Sequence, residues 1–241
     1  VGALQGQTVV VIGGSAGIGL ETARLARAEG ATLWLTARDP ERLRKAVREL
    51  DASGSAAFDA TAPEALERFF QDLPAALDHL LVTAGRPTYG RLAELDTDAI
   101  HRAVDQHLTL ALRVARHAAT RLRPGGSLTL MGGTGARRPA LGLVLAGPLT
   151  AALPALTANL ALELAPVRVN LIAPGFVDTP LSASLLGTEL DARRAQLRAS
   201  LPIGRVIGAA DVAALAVHVM INTALTGATF DVDGGQQLVR A

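Results

Sequence analysis

Short apolar runs alternate with longer helical patterns along the whole of this 241-residue chain, and that alternation restricts the fold more than any other feature. Residues 8–12 (Thr-Val-Val-Val-Ile) are apolar almost without a break, as in a strand buried on both faces. Similar runs occur at 32–36, 56–59, 79–83, 127–131, 168–172 and 228–232. Helical patterns fill the intervals at 17–29, 39–50, 97–123, 147–165 and 211–221. Another helix opens at Thr61-Ala62-Pro63-Glu64. Gly30 is a stop signal for the first helix, Asp39-Pro40 reads as an N-cap followed by a first-turn proline, and Asp211 reads as the cap of the last helix. Pro154 falls inside the 147–165 pattern and predicts a kink. Strands joined by long helical crossovers predict an α/β fold: a Rossmann-like, doubly wound parallel sheet of about seven strands with helices on both faces. The expected organisation is one domain over 1–241, with a loop-and-helix insertion around 175–205. Ligands of such sheets bind beyond the carboxyl ends of the strands.

Composition excludes several functions. Hydrophobic residues make up 49% of the chain and charged residues 19%, too apolar for a disordered protein. A formal net charge of +1 gives no reason to expect a nucleic-acid partner. With no Cys there is no disulfide framework, thiolate metal site or cysteine nucleophile. No two His are spaced as a helical ligand pair, so no metal is expected. There is no long uncharged apolar run to span a membrane, and Val1 to Gly6 is too short and uncharged for a secretory leader. A cytoplasmic protein acting on a small molecule is the expectation.

Gly13-Gly14-Ser15-Ala16-Gly17-Ile18-Gly19 stands between the first strand and the first helix. Gly13 suits a tight turn, Gly17 a close approach of backbone to a pyrophosphate, and Gly19 close packing of helix on sheet. Free amides at the helix N-terminus then face the phosphates. The three-residue gap between Gly13 and Gly17 resembles the T-G-x-x-x-G-x-G pattern of the short-chain dehydrogenase/reductase family, with Ile12 where Thr is usual. Val82-Thr83-Ala84-Gly85 resembles its N-N-A-G, and Pro174 to Pro180 resembles the segment that cradles the nicotinamide. Leu201 to Arg205 and Asp231 to Gly235 are similar to its C-terminal signatures.

The resemblance implies a dinucleotide held by Gly13, Ser15, Ala16, Gly17, Ile18 and Gly19, by Asp59 and Ala60 near the adenine, by Ala84 and Gly85, and by Pro174, Gly175, Val177 and Thr179. Thr36-Ala37-Arg38 stands where an NAD enzyme carries a carboxylate for the ribose hydroxyls. The Arg38 fork suits a 2′-phosphate instead, so the expected cofactor is NADP(H); the alternative is a solvated surface charge. A homotetramer or homodimer is also implied, built on the helices at 97–123 and 147–165.

The family's usual chemistry uses Ser, Tyr and Lys with a helical Asn. Matched by position, these fall on Gly133, Ala146, Thr150 and His107. The chain has one tyrosine, Tyr89, and one lysine, Lys45, so no Tyr-x-x-x-Lys exists in any register. His107 is the candidate proton donor, since an imidazole titrates near neutrality; it also reads as a packing residue. His101 and His117 match no family site and read as surface or packing residues. Tyr89 reads as a loop-packing residue or as part of the pocket mouth, and Arg137-Arg138 as a solvated pair or an anion-binding pair. Two readings stay open: an NADPH-dependent reductase of a carbonyl or imine with a non-standard active site, and a nucleotide-bound sensor or scaffold without turnover.

Overall fold

The computed structural model describes residues 2–239. The chain begins with β1 (Thr8–Ile12), α1 (Gly17–Ala28), β2 (Thr32–Ala37), α2 (Pro40–Leu50) and β3 (Gly54–Ala57). It continues through α3 (Pro63–Asp72), β4 (Leu77–Val82), α4 (Thr97–Val104), α5 (Leu110–Arg121), β5 (Leu122–Met131) and α6 (Ala146–Glu163). Next come β6 (Arg168–Pro174), β7 (Val177–Asp178), α7 (Pro180–Leu186), α8 (Leu190–Ser200), β8 (Ile207–Gly208), α9 (Ala209–Ile221) and β9 (Thr229–Val232). Seven strands form one parallel sheet in the order β3-β2-β1-β4-β5-β6-β9, and β7 pairs with β8 in a separate ribbon.

The period of two along a strand explains why β1 is apolar throughout. Val10 and Ile12 enter one core with Leu80, Val82, Phe69, Val114 and Leu153, whereas Val9 and Val11 enter the other with Leu33, Leu35, Leu81, Ala23 and Val212. Each large aliphatic side chain buried in this way contributes roughly 1.5–3 kcal/mol. Helices α3, α5 and α6 cover the first core, and α1, α2 and α9 the second.

Local capping signals behave as their chemistry dictates at some ends and not at others. Asp39 caps α2, its Oδ1 accepting from the Glu41 and Arg42 amides at 3.0 Å, with Pro40 in the first turn. Gly30 follows the end of α1 with φ +91°. Asp211, by contrast, is the third residue of α9, and its carboxylate reaches back to the Gly208 amide at 2.9 Å; Gly208 is the cap residue. At α3 the cap is Ala62 without a side-chain bond, because the Thr61 hydroxyl donates to Asp59 at 2.7 Å instead.

Two elements depart from the sequence reading for packing reasons. Strand β3 lies at Gly54–Ala57, earlier than 56–59, because Gly54 pairs with Trp34 and the indole ring fills the space a Cβ would need. The helix read at 97–123 is broken by a wide π turn over Asp105–Thr109, in which the Leu110 amide donates to the Asp105 carbonyl five residues back. The reading 175–205 holds β7, α7 and α8, and a bidentate Arg194–Asp178 pair at 2.7 and 2.9 Å ties α8 to β7.

Candidate active site

The carboxyl ends of β1, β2, β4, β5 and β6 converge on one edge of the sheet. The turn after β1 is pinned to β2 by two amides, Gly13 and Gly14, which both donate to the Thr36 carbonyl at 3.0 and 2.8 Å. Gly13 has φ +104°, and a Cβ there would lie 2.6 Å from the Thr83 hydroxyl. Gly19 faces the Gly13 carbonyl so closely that a Cβ would overlap it, which brings α1 onto the turn. Ser15 is half-buried in this turn, Ile18 packs against the second core, and Gly17 lies beside the Thr179 side chain. Ala16 is the N-cap of α1 and supplies no side-chain acceptor, and the first turn holds no acid. The leading amides of α1 therefore stay open to an anion.

At the end of β2 the two neighbouring charges are used differently. Asp39 serves the α2 cap and pairs with Arg42 Nε at 2.6 Å, and these bonds hold its carboxyl below the usual carboxylate range. Arg38 is exposed and makes no hydrogen bond or ion pair among the described residues. Asp59 stands at the end of β3, with Ala60 buried behind it in the first core. Burial pushes the Asp59 carboxyl up, but bonds from Thr61 and the nearby Arg38 charge outweigh it and leave the pKa lowered.

Strand β4 closes the middle of the site. The Thr83 hydroxyl donates to the Gly13 carbonyl at 3.1 Å, and the Ala84 amide to the Ile12 carbonyl at 2.9 Å. Gly85 then lies against the Gln106 carbonyl in the π turn. On the far side, Gly175 donates to the Val232 carbonyl at 3.0 Å and the Phe176 amide to Gln236 Oε1 at 2.9 Å. Pro174 ends β6, Val177 is buried in β7, and Thr179 caps α7 reciprocally with Ser182. Gly13, Gly17, Thr179 and the β4 end at Ala84 thus lie on this one edge, whereas Ile18 and Ala60 pack into the two cores.

His107 sits in the π turn and lines a small inner pocket with Ala84, Gln106, Leu110, Met131 and Leu153. Its Nδ1 is 2.8 Å from the Ala103 carbonyl, which can only accept, so Nδ1 carries the hydrogen and Nε2 is left to take or give a proton. Gly133 follows β5; a Cβ there would lie 3.7 Å from the Pro174 carbonyl oxygen and 3.8 Å from Thr150 Cγ2. Ala146 is buried, and the Thr150 hydroxyl turns back to the Ala146 carbonyl at 2.7 Å. Lys45 is exposed on α2.

An outer cleft of about 400 Å³ adjoins the inner pocket through Gln106 and is lined by Arg86, Tyr89, Arg102 and Leu185. Tyr89 is 54% exposed there, so it stands at the pocket mouth. Neither Arg86 nor Arg102 stands out in the sequence as a site residue; Arg86 alone carries a signal, its place directly after Ala84-Gly85. Arg137 and Arg138 do not reach this cleft: the former pairs with Asp231 at 2.9 Å and the latter donates to the Val239 carbonyl. His101 is exposed, and His117 stacks on Phe70 with ring centroids 4.2 Å apart. Among the described residues no cluster of three or more His, Asp or Glu could hold a metal, and no helix is long and apolar enough to cross a membrane.

A parallel sheet in this order, with a glycine turn leading into an uncapped helix beyond its first strand, defines a Rossmann-like α/β protein. The family model described as enoyl-(acyl carrier protein) reductase matches residues 13–237. The chain belongs to the short-chain dehydrogenase/reductase family. It is 32% identical to a putative ketoacyl reductase of Streptomyces coelicolor, over 95% of this chain and 96% of that one. A short-chain dehydrogenase of Burkholderia cenocepacia, solved in complex with NADP, is 30% identical with TM-score 0.87, covering 96% of this chain and 98% of the other. The MalC reductase/Diels-Alderase of Malbranchea aurantiaca is 26% identical with TM-score 0.88, with 98% of each chain covered.

Proposed function

We propose that the chain is an NADP(H)-dependent oxidoreductase that transfers hydride to a carbonyl or imine and works without the Tyr–Lys pair usual in its family. The observation that carries the cofactor choice is the end of β2, where Asp39 is consumed by the α2 cap and Arg42 while Arg38 is free. A carboxylate committed in this way is a poor acceptor for ribose hydroxyls, whereas a free guanidinium fits a 2′-phosphate. The open amides of α1 fit the pyrophosphate. The NADP complex of the Burkholderia relative supports the same choice.

When bound, the nicotinamide supplies or accepts the hydride. The chain's own residues hold the ring and manage the proton. Pro174, Gly175, Val177 and Thr179 would hold the ring, Thr179 lying beside Gly17. His107, or a water on its Nε2, supplies the proton, because Ala146 has no acidic group and the Thr150 hydroxyl is bonded to its own helix. Proximity alone contributes roughly 7–11 kcal/mol in good cases, so hydride transfer survives loss of a general acid that is worth about 10²–10⁴ in rate. Residues 175–205 form the substrate loop of a single nucleotide-binding unit.

The sequence also favours a second reading, a nucleotide-bound sensor without turnover, because Tyr-x-x-x-Lys is absent from all 241 residues. A panel of ketones, imines and enones with NADPH, followed by loss of cofactor absorbance, separates the two. Consumption of NADPH with any panel member supports the oxidoreductase; tight NADPH binding with no consumption across the panel supports the sensor.

We also propose a homotetramer or homodimer, in the cytoplasm where NADPH is replenished. The support is α6, which carries one charged residue, Glu163, and exposes Pro148, Ala151, Ala155, Ala158 and Leu162 along one side. Asn159 interrupts this side, but an exposed stripe otherwise so apolar is normally covered.

A further inference from the structure

We propose that the substrate carries an anionic group, carboxylate or phosphate, which Arg86 and Arg102 hold in the outer cleft while the reacting carbon lies toward His107. The inference rests on the oxidoreductase reading of the same site and names its substrate class.

Two guanidinium groups line this cleft, one from the loop after β4 and one from α4, and no carboxylate lines it with them. Arg86 has no partner among the described residues. Arg102 meets only Asp96, at 3.9 Å with both side chains more than half exposed, and an ion pair of that kind is worth little. The Asp96 carboxylate is already engaged as the α4 cap, accepting from the Ala99 amide at 2.6 Å. Like charges sharing one cleft repel until an anion enters, and the planar guanidinium fork suits either carboxylate or phosphate. The rest of the wall is Pro87, Thr88, Tyr89, Gln106 and Leu185, and Pro87, Tyr89 and Leu185 suit an apolar or aromatic body behind the charged head. Gln106 borders both this cleft and the pocket of His107, so a single molecule with a charged end and a reducible end fits across the two. The other arginine pair near this edge, Arg137 and Arg138, is occupied by Asp231 and the Val239 carbonyl.

The test uses three aryl ketones that differ only at the head: 4-acetylbenzoate, its methyl ester and 4-acetylphenyl phosphate. Each is titrated calorimetrically into the full chain saturated with NADP⁺, which cannot reduce a ketone, so that the cofactor's own phosphate sites are filled and the heat is that of binding. One or both anions should bind about tenfold or more tighter than the ester, as a charge-assisted fork implies. Which anion wins distinguishes carboxylate from phosphate. The preference should collapse in the R86A/R102A double variant, partly return in R86K/R102K, and weaken with added salt. Circular dichroism and NADPH affinity of the variants serve as folding controls. Equal binding of ester and anions, anion binding unchanged in R86A/R102A, or no binding of any of the three overturns the proposal. Because the readout is binding, charge-selective binding without NADPH consumption counts against the oxidoreductase reading and leaves this one standing. Reduction of the ester as efficiently as of the anions does the reverse.

Discussion

Asp39 caps α2 and holds Arg42 at 2.6 Å, which leaves its neighbour Arg38 as the charge without a partner at the end of β2. Arg38→Ala should therefore weaken NADPH binding by about 10- to 100-fold, the loss expected for a charge-assisted pair, and should leave NADH binding nearly unchanged. Calorimetric titration of both cofactors into parent and variant measures this. Equal affinities in the parent, or an unchanged NADPH affinity in the variant, would remove Arg38 from the site.

His107 donates from Nδ1 to the Ala103 carbonyl at 2.8 Å, which leaves Nε2 unbonded among the described residues, and it lines the inner pocket. If that nitrogen handles the proton, His107→Ala should lower kcat by about 10²–10⁴, with NADPH affinity almost constant. An unaltered kcat would return His107 to packing and point to a substrate that brings its own charge, such as an iminium.

His79 governs a pH response far from chemistry. It is buried between Ser127, 2.8 Å from Nδ1, and Gln7, 2.6 Å from Nε2. Burial first, and then the Arg168 charge, push its pKa down to about 4. Above pH 6.5 the ring is neutral in both folded and unfolded chains, so it has no effect on the pH dependence there. Below that value the unfolded chain binds a proton that the folded chain refuses, and stability falls until pH approaches the folded value of about 4. The slope is at most about 1.4 kcal/mol per pH unit, or roughly 3 kcal/mol in all. Urea melts of parent and His79→Leu across this window check the sign: the variant should start less stable at neutrality and decline less steeply. A parallel decline would mean His79 is not the group responsible.

The exposed side of α6, with Ala151, Ala155 and Leu162, should be covered by a second copy. Light scattering at micromolar concentration should show a dimer or tetramer, and Ala155→Arg should shift it to smaller species without loss of helix content. A parent that stays monomeric contradicts the assembly.

What could be read from the sequence follows from how local each cause is. The Asp39-Pro40 start of α2 depends on three adjacent residues and is visible in the string. The continuous apolar run of β1 reflects two cores at once, which periodicity captures directly. The position of β3 was not legible, because it is set by the Trp34 ring lying over Gly54. The π turn at Asp105–Thr109, which carries His107, inserts a residue into one helical turn and has no local sequence signal. The juxtaposition of Arg86 and Arg102 is tertiary and has no counterpart in spacing. Asp211 and Thr61 have the right chemistry for caps, but Asp211 stands three positions past the cap residue Gly208, and Thr61 stands one position before Ala62 and donates to Asp59.

Hydride passing between NADP(H) and a small molecule in this site leaves an isotopic trace. NADPH deuterated at the transferable nicotinamide C4 position, incubated with the ketone and imine panel and followed by mass spectrometry of the products, tests it most directly. A reduced carbonyl or imine product should carry deuterium, and at limiting NADPH its yield should fall in Arg38→Ala in step with the about 10- to 100-fold weaker cofactor binding. Tight NADPH binding with no deuterium in any product would contradict it.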